Sequence, residues 1–168
     1  LKDYNEIELL KDKYRITNEK ILLFVGRIEK IKNIPFIIEV LKELKKNNYK
    51  FKMFFIGEGI YKKELRRKII EFNLENNVII LGKISNRDEL CKYYHMADLF
   101  IFPSTYDSSS LVQVEAASQK VPTIFAEGSI TSSNIVNNVN GYTEKLDSKI
   151  FAERIIGIFE DRETYNKV

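Results

Sequence analysis

A glycine and two basic residues in this chain have the types and spacing that anion binding requires. Gly26 and Arg27 directly follow an apolar run, and Lys32 comes a few positions later. A glycine permits a tight exit from a strand, and cations beside it could hold a phosphate group or another anion. Isolated basic residues are usually solvated surface residues, so both interpretations stay open.

A second glycine pair, Gly57-Glu58-Gly59, follows the next apolar run and precedes an amphipathic segment. It matches the start of the dinucleotide-binding pattern Gly-x-Gly-x-x-Gly, but the third glycine is missing. A compact turn between a strand and a helix is the alternative interpretation.

A serine-rich segment precedes a predicted helix over Ser110–Ser118. Serines cap helix starts, and the free backbone N–H groups there attract anions. Glu115 lies inside this helix among apolar neighbours, so we expect it near the core, where an unpaired carboxylate is costly. It should have a partner such as ligand hydroxyl groups. The apolar neighbours are Val112, Val114, Ala116 and Ala117.

These residues require elements that position them, and the chain alternates apolar runs with amphipathic stretches. The runs are nearly continuous, which is typical of strands covered on both faces of a parallel sheet. The predicted fold is therefore a doubly wound, Rossmann-like α/β parallel sheet, whose ligands bind at the carboxyl ends of the strands. We predict strands over 21–25, 51–56, 78–81, 99–102 and 122–125, helices over 35–46, 61–73, 87–96, 110–118, 131–137 and 148–159, and a turn at Asn140-Gly141.

Composition excludes several classes of protein. The chain has 168 residues, 44% of them hydrophobic, and a net charge of +3 with basic and acidic residues interleaved, so nucleic-acid binding is not expected. No apolar run is long enough to cross a bilayer. One histidine and one cysteine cannot form an ordinary zinc site. We expect His95 to be packed or to cap a helix end, Cys91 to be buried, and the compartment to be reducing, hence cytoplasmic. Without a repeat or a break in composition, residues 1–168 are predicted to form one domain.

Several short motifs occur in a characteristic order. Val-Gly-Arg-x-x-x-x-Lys ends at Lys32, and a Gly-x-Gly follows the next strand. Leu81-Gly82-Lys83-Ile84 comes next, then Tyr94-x-x-Ala-Asp-Leu-Phe-Ile-Phe-Pro-Ser, then two acids eight positions apart, Asp107 and Glu115. In this order the chain resembles the C-terminal, donor-binding domain of GT-B glycosyltransferases of the retaining family 4, the "glycosyl transferases group 1" set.

The resemblance implies a role for each matched residue. Arg27 and Lys32 would bind the donor diphosphate, and Glu115 would accept hydrogen bonds from the ribose hydroxyls. Asp107 would contact the sugar, although the family usually has Glu there. Backbone around Lys83 and Ile84 would meet the nucleotide base. The remaining expected donor contacts are Gly26, Gly57, Ser109, Ser110, Leu111 and Val112.

Three further positions depart from the family pattern. Asn33 stands where a Gly usually follows the Lys, and Ser109-Ser110 replaces Phe-Gly. Gly128-Ser129 is not followed by the usual Gly-Gly-x-x-Glu. These changes imply a less flexible donor loop.

The implied function is binding of a nucleotide-diphosphate sugar, with a UDP-sugar expected, as the donor half of a retaining glycosyltransferase in glycan, polysaccharide or glycolipid synthesis. No cofactor and no metal are expected, because the chain lacks the Asp-x-Asp motif of metal-dependent transferases. The acceptor would bind an N-terminal domain absent from this chain, and membrane contact of the whole enzyme stays open. The alternatives are a nucleotide-sugar binding module without transfer activity, a GT-B epimerase or phosphorylase, and a flavodoxin-like receiver domain. The receiver lacks support because Gly26-Arg27 stands where its acidic cluster belongs.

Overall fold

The computed structural model describes residues 2–106 and 111–168 of the chain and shows a sheet of parallel strands. The sheet contains β1 (Lys20–Val25), β2 (Phe51–Ile56), β3 (Val78–Leu81), β4 (Leu99–Phe102), β5 (Thr123–Ala126) and β6 (Tyr142–Glu144). Their spatial order is β3-β2-β1-β4-β5-β6. β1 therefore lies centrally, with Leu22 in register with both Met53 of β2 and Leu99 of β4. This arrangement confirms the predicted doubly wound sheet.

Helices flank the sheet. They are α1 (Lys2–Lys13), α2 (Ile34–Lys46), α3 (Lys62–Glu71), α4 (Arg87–Met96), α5 (Leu111–Ser118), α6 (Ser148–Glu160) and α7 (Arg162–Lys167), with short 3-10 turns at Lys30–Lys32 and Ile130–Ser132. Helices α2 to α5 connect successive strands, α1 precedes β1, and α6 and α7 follow β6. α2 packs against α3 and α6, and α1 packs against α4. Within the described part of the chain, no helix has the length and apolar character needed to cross a membrane.

The core lies on both faces of the central strands. Leu22 and Leu23 of β1 and Phe54 and Phe55 of β2 are fully buried, although successive residues of a strand face opposite sides of the sheet. A strand buried on both faces needs apolar residues at consecutive positions, which is why the apolar runs are continuous. The five predicted strands are confirmed, with β5 starting one residue later than predicted, after Pro122.

The predicted helix over 131–137 is wrong. This segment contains only the 3-10 turn Ile130–Ser132, followed by irregular backbone and turns. Two asparagine side chains hydrogen-bond to backbone here: Asn140 Oδ1 accepts from Val136 N at 2.8 Å, and Asn137 Oδ1 accepts from Thr143 N at 3.1 Å. Such local bonds offer the backbone an alternative to the helix. The turn at Asn140-Gly141 is confirmed and leads into β6.

Helix α1 was not predicted, and two side chains on α4 differ from expectation. His95 is exposed, because Tyr93, Tyr94 and Met96 occupy the buried positions of this helix turn. Cys91 is half-buried and not part of the core.

Candidate functional site

A cavity of about 530 Å³ opens at the carboxyl edge of the sheet, where β1, β2 and β3 end. It contains five residues that the sequence predicted as donor contacts: Gly26, Arg27, Gly57, Lys83 and Ile84. It also contains four that the sequence did not single out for this site: Val25, Ile56, Glu58 and Gly59. Strands adjacent in the sheet bring these segments together, although they are far apart in sequence.

The backbone segments that follow β1 and β2 are in close contact beside the cavity. A Cβ at Gly57 would lie 1.9 Å from the carbonyl oxygen of Gly26, and a Cβ at Gly59 would lie 2.2 Å from that of Ile28. Ile28 N donates to Glu58 O at 2.9 Å, so the two strand exits are hydrogen-bonded to each other. Gly57 has a φ of +147°, which L side chains rarely adopt. The glycine pair therefore forms a compact turn, as the alternative interpretation proposed, and this turn forms part of the cavity wall.

Charged side chains surround the cavity mouth. The Arg27 side chain is 66% exposed and pairs with Glu29 at 3.1 Å. Glu58 pairs with Lys62 at 2.7 Å, and Lys83 is exposed. Exposed ion pairs contribute little to stability, so the Arg27 guanidinium can exchange Glu29 for an anionic ligand at small cost.

Lys32 does not line this cavity. It lies on the 3-10 turn that follows the β1 exit, with Nζ 5.9 Å from the ring centroid of Phe102 at the end of β4. Lys32 therefore lies beside the boundary between β1 and β4, where the strand order reverses. Ligands of doubly wound sheets bind at this boundary.

Asn33, where the family pattern has a glycine, links the same two strand exits. It adopts a left-handed conformation with φ of 58°, which asparagine tolerates better than most residues. Its Nδ2 donates to the carbonyl oxygen of Pro103 at 3.2 Å. Asn33 thus adopts a left-handed backbone conformation that glycine also allows, and its side chain adds a hydrogen bond between the β1 and β4 exits.

Glu115 is half-buried on α5, where Oε2 accepts a hydrogen bond from the Tyr94 hydroxyl of α4 at 3.4 Å. Its expected position near the core is only partly correct, because Val114 is 66% exposed and Ala117 is also exposed. Ala116 is the described α5 side chain that is fully buried. A short helix on the sheet surface buries one face only. The apolar neighbours of Glu115 therefore do not all face the core, and Glu115 is less buried than its sequence surroundings predicted.

The family model "Glycosyl transferases group 1" matches residues 6–168. The chain belongs to this family. It is 29% identical over 137 residues to the alpha-monoglucosyldiacylglycerol synthase of Acholeplasma laidlawii, a match that covers 81% of this chain and 34% of that protein. The group 1 chain thus spans about a third of the length of this relative.

Solved structures of other proteins share the fold. The C-terminal domain of LpcC from Francisella tularensis, a glycosyl transferase group 1 family protein, has a TM-score of 0.75 and 27% identity, covering 89% of this chain and 79% of that one. A TarM mutant of S. aureus, solved in complex with fondaparinux, alpha-GlcNAc-glycerol and UDP, has a TM-score of 0.77 and 27% identity, covering 89% of this chain and 30% of that one. The predicted likeness to the C-terminal domains of GT-B glycosyltransferases is confirmed.

Not every residue in the group 1 motifs lies at the cavity. Asp98, just before β4, holds β1 through its Oδ2, which accepts a hydrogen bond from Ile21 N at 2.7 Å. Its carbonyl oxygen accepts a second hydrogen bond, from the Tyr165 hydroxyl of α7 at 2.7 Å. Asp98 is therefore a structural residue of the motif. Tyr94, which was matched to the family pattern but not predicted as a site residue, donates its hydroxyl to the predicted site residue Glu115.

Several predicted site residues have no described geometry. Asp107, Ser109 and Ser110 lie outside the described residues, and the side chain of Val112 is not described. Leu111 begins α5 with its side chain 81% exposed. Over 2–106 and 111–168, no group of three or more His, Cys, Asp or Glu side chains is arranged to hold a metal ion.

Proposed function

We propose that this chain binds the nucleotide-sugar donor, a UDP-sugar, of a retaining glycosyltransferase. The observation that carries the proposal is the cavity at the carboxyl edge of β1, β2 and β3. In a group 1 domain this cavity combines backbone at two glycine turns with the Arg27 side chain. The UDP bound to the TarM relative supports the choice of nucleotide.

The order of the strand exits favours one direction for the donor. The base would lie against the backbone of Lys83 and Ile84 after β3. The diphosphate would extend past Arg27 after β1 toward Lys32, beside the end of β4. Glu115 would approach from α5 to accept hydrogen bonds from the ribose.

The proposed chemistry stabilises the leaving group. Cleavage of the anomeric C–O bond leaves negative charge on the diphosphate, and positive groups fixed near it lower the barrier. Arg27, Lys32 and the start of the helix that contains Leu111 are the groups that this chain supplies. We propose that they do so without a metal ion, and that Asp107 contacts the donor sugar.

The acceptor site belongs to the rest of the proposed enzyme. Since the chain spans about a third of the relative's length, we propose that a second domain binds the acceptor and closes over the donor. The product would be a glycan, a polysaccharide or a glycolipid.

A thermal-shift screen with UDP, GDP, ADP and their sugars tests donor binding. A ligand at a hundredfold excess over its Kd stabilises the native state by about 2.7 kcal/mol, which gives a clear shift in Tm. We expect a shift with UDP and UDP-sugars that is reduced in Arg27→Ala. Arg66→Ala is the matched control, because Arg66 is an exposed arginine on α3 that does not line the cavity. No shift with any of the nucleotides, or an equal loss in both variants, would contradict the proposal.

A further inference from the structure

The hydroxyl of Tyr94 is held at a fixed place beside Glu115. Tyr94 is 2% exposed, and its ring packs against Phe100 of β4 with centroids 6.0 Å apart. Glu115 is half-buried, and its Oε2 accepts a hydrogen bond from this buried hydroxyl at 3.4 Å. The position of the tyrosine therefore restricts the orientation of the carboxylate.

Tyr94 stays a donor throughout the physiological pH range. Burial raises the pKa of its hydroxyl, and the neighbouring charge of Glu115 raises that pKa further. The hydroxyl is consequently protonated and donates to Oε2 of Glu115. A carboxylate held by one of its oxygens cannot rotate freely away from the helix surface.

We infer that Tyr94 is a positioning residue, which orients Glu115 so that the carboxylate meets the ribose hydroxyls of the donor. The inference rests on the proposed function, in which Glu115 is the ribose contact. A carboxylate binds two adjacent hydroxyls well only in a narrow range of orientations, because both hydrogen bonds must be close to linear. Loss of the Tyr94 hydroxyl should weaken recognition of the ribose more than recognition of the diphosphate.

The chain offers a matched control on the same helix. Tyr93 is also buried, at 4% exposure, and its hydroxyl is 3.0 Å from the hydroxyl of Tyr14. Tyr93→Phe removes a buried hydroxyl and one hydrogen bond, as Tyr94→Phe does, but it leaves Glu115 untouched. A purely structural effect of losing a tyrosine hydroxyl would appear in both variants.

The test compares UDP with 2′-deoxy-UDP by calorimetry. We expect the unmodified chain to prefer UDP by at least about tenfold, since a hydrogen bond to a charged group contributes more than the ~1.4 kcal/mol that corresponds to a factor of ten. Tyr94→Phe and Glu115→Gln should each reduce this preference to less than about threefold, and the double variant should reduce it no further. Tyr93→Phe should keep the full preference.

The outcomes separate the inference from the proposed function. An unchanged preference in Glu115→Gln would overturn the ribose role of Glu115 and the inference with it. If Glu115→Gln loses the preference while Tyr94→Phe retains it, the positioning role is wrong and the proposed function stands. An equal loss in Tyr93→Phe would overturn the positioning role as well. If Tyr94→Phe does not fold, Tyr94→Met, which also removes the hydroxyl and leaves Glu115 in place, is judged by the same criterion.

Discussion

Glu115 carries a charge on a half-buried part of α5, where its observed partner is one neutral hydroxyl. Glu115→Gln keeps the shape of the side chain and removes the charge that strengthens hydrogen bonds to hydroxyl groups. We expect it to weaken UDP binding by about 1.5 to 3 kcal/mol, measured by calorimetry. Glu153→Gln, an exposed position on α6, is the control and should leave the affinity unchanged. Equal affinity in Glu115→Gln and the unmodified chain would exclude Glu115 as the ribose contact.

Arg27 and Lys32 lie on either side of the β1 exit and are expected to share the diphosphate. UDP should therefore bind much more tightly than uridine, and its affinity should fall with added salt, since the Debye length shortens to about 10 Å at 0.1 M. Arg27→Ala and Lys32→Ala should each lower UDP affinity with little effect on uridine. EDTA should change neither the binding nor, in the natural full-length protein, the transfer; loss of both on adding EDTA would refute the metal-free proposal.

At the scale of elements, the glycine turn after β2 determines how closely the β1 and β2 exits approach. In Gly57→Ala the new methyl group would overlap the Gly26 carbonyl oxygen, in a backbone conformation that alanine adopts only with strain. We expect this change to lower the free energy of unfolding by about 2 to 5 kcal/mol, measured with urea. Gly157→Ala on α6 is the matched control. It has open space around the new Cβ and should stabilise the helix by about 0.5 to 1 kcal/mol. A mild effect at Gly57 would show that the two exits are not packed as described.

The same elements show how far sequence reasoning reaches. Continuous apolar runs, such as that of β2, predicted the parallel sheet and its ligand-binding edge. A strand buried on both faces needs apolar residues at consecutive positions, and this pattern is visible in the sequence. The sequence also predicted that Gly26, Gly57 and Lys83 belong to one edge. It could not predict that Glu115 meets Tyr94, because this contact depends on how α4 and α5 pack side by side. Helix α1 was missed because it is held by packing against α4, which the spacing of its residues does not reveal. The helix over 131–137 was wrongly predicted because asparagine side chains hydrogen-bond to the backbone in this segment.

At the scale of the whole molecule, the chain has its own sheet and core but supplies only one side of the proposed reaction. We expect it to fold and bind UDP-sugar with modest affinity, yet to show no glycosyl transfer. Without an acceptor domain nothing orients the acceptor hydroxyl, and orientation can account for about 7 to 11 kcal/mol of a barrier. Mass spectrometry of incubations with UDP-sugars and candidate acceptors checks this expectation. Transfer at the rate of the natural full-length protein would mean that the catalytic site is complete within these residues.

If the donor binds at the carboxyl edge of the sheet, an NMR titration of the ¹⁵N-labelled chain with UDP should locate it there. We expect shifts of the backbone amides at Gly26, Arg27, Gly57 and Lys83. The amides of Asn18, Tyr49 and Asn77, which lie beside the opposite ends of the same strands, should stay unchanged. Saturable shifts confined to the carboxyl edge would support this donor site. Shifts at the amino ends of the strands, or none at millimolar UDP, would contradict it.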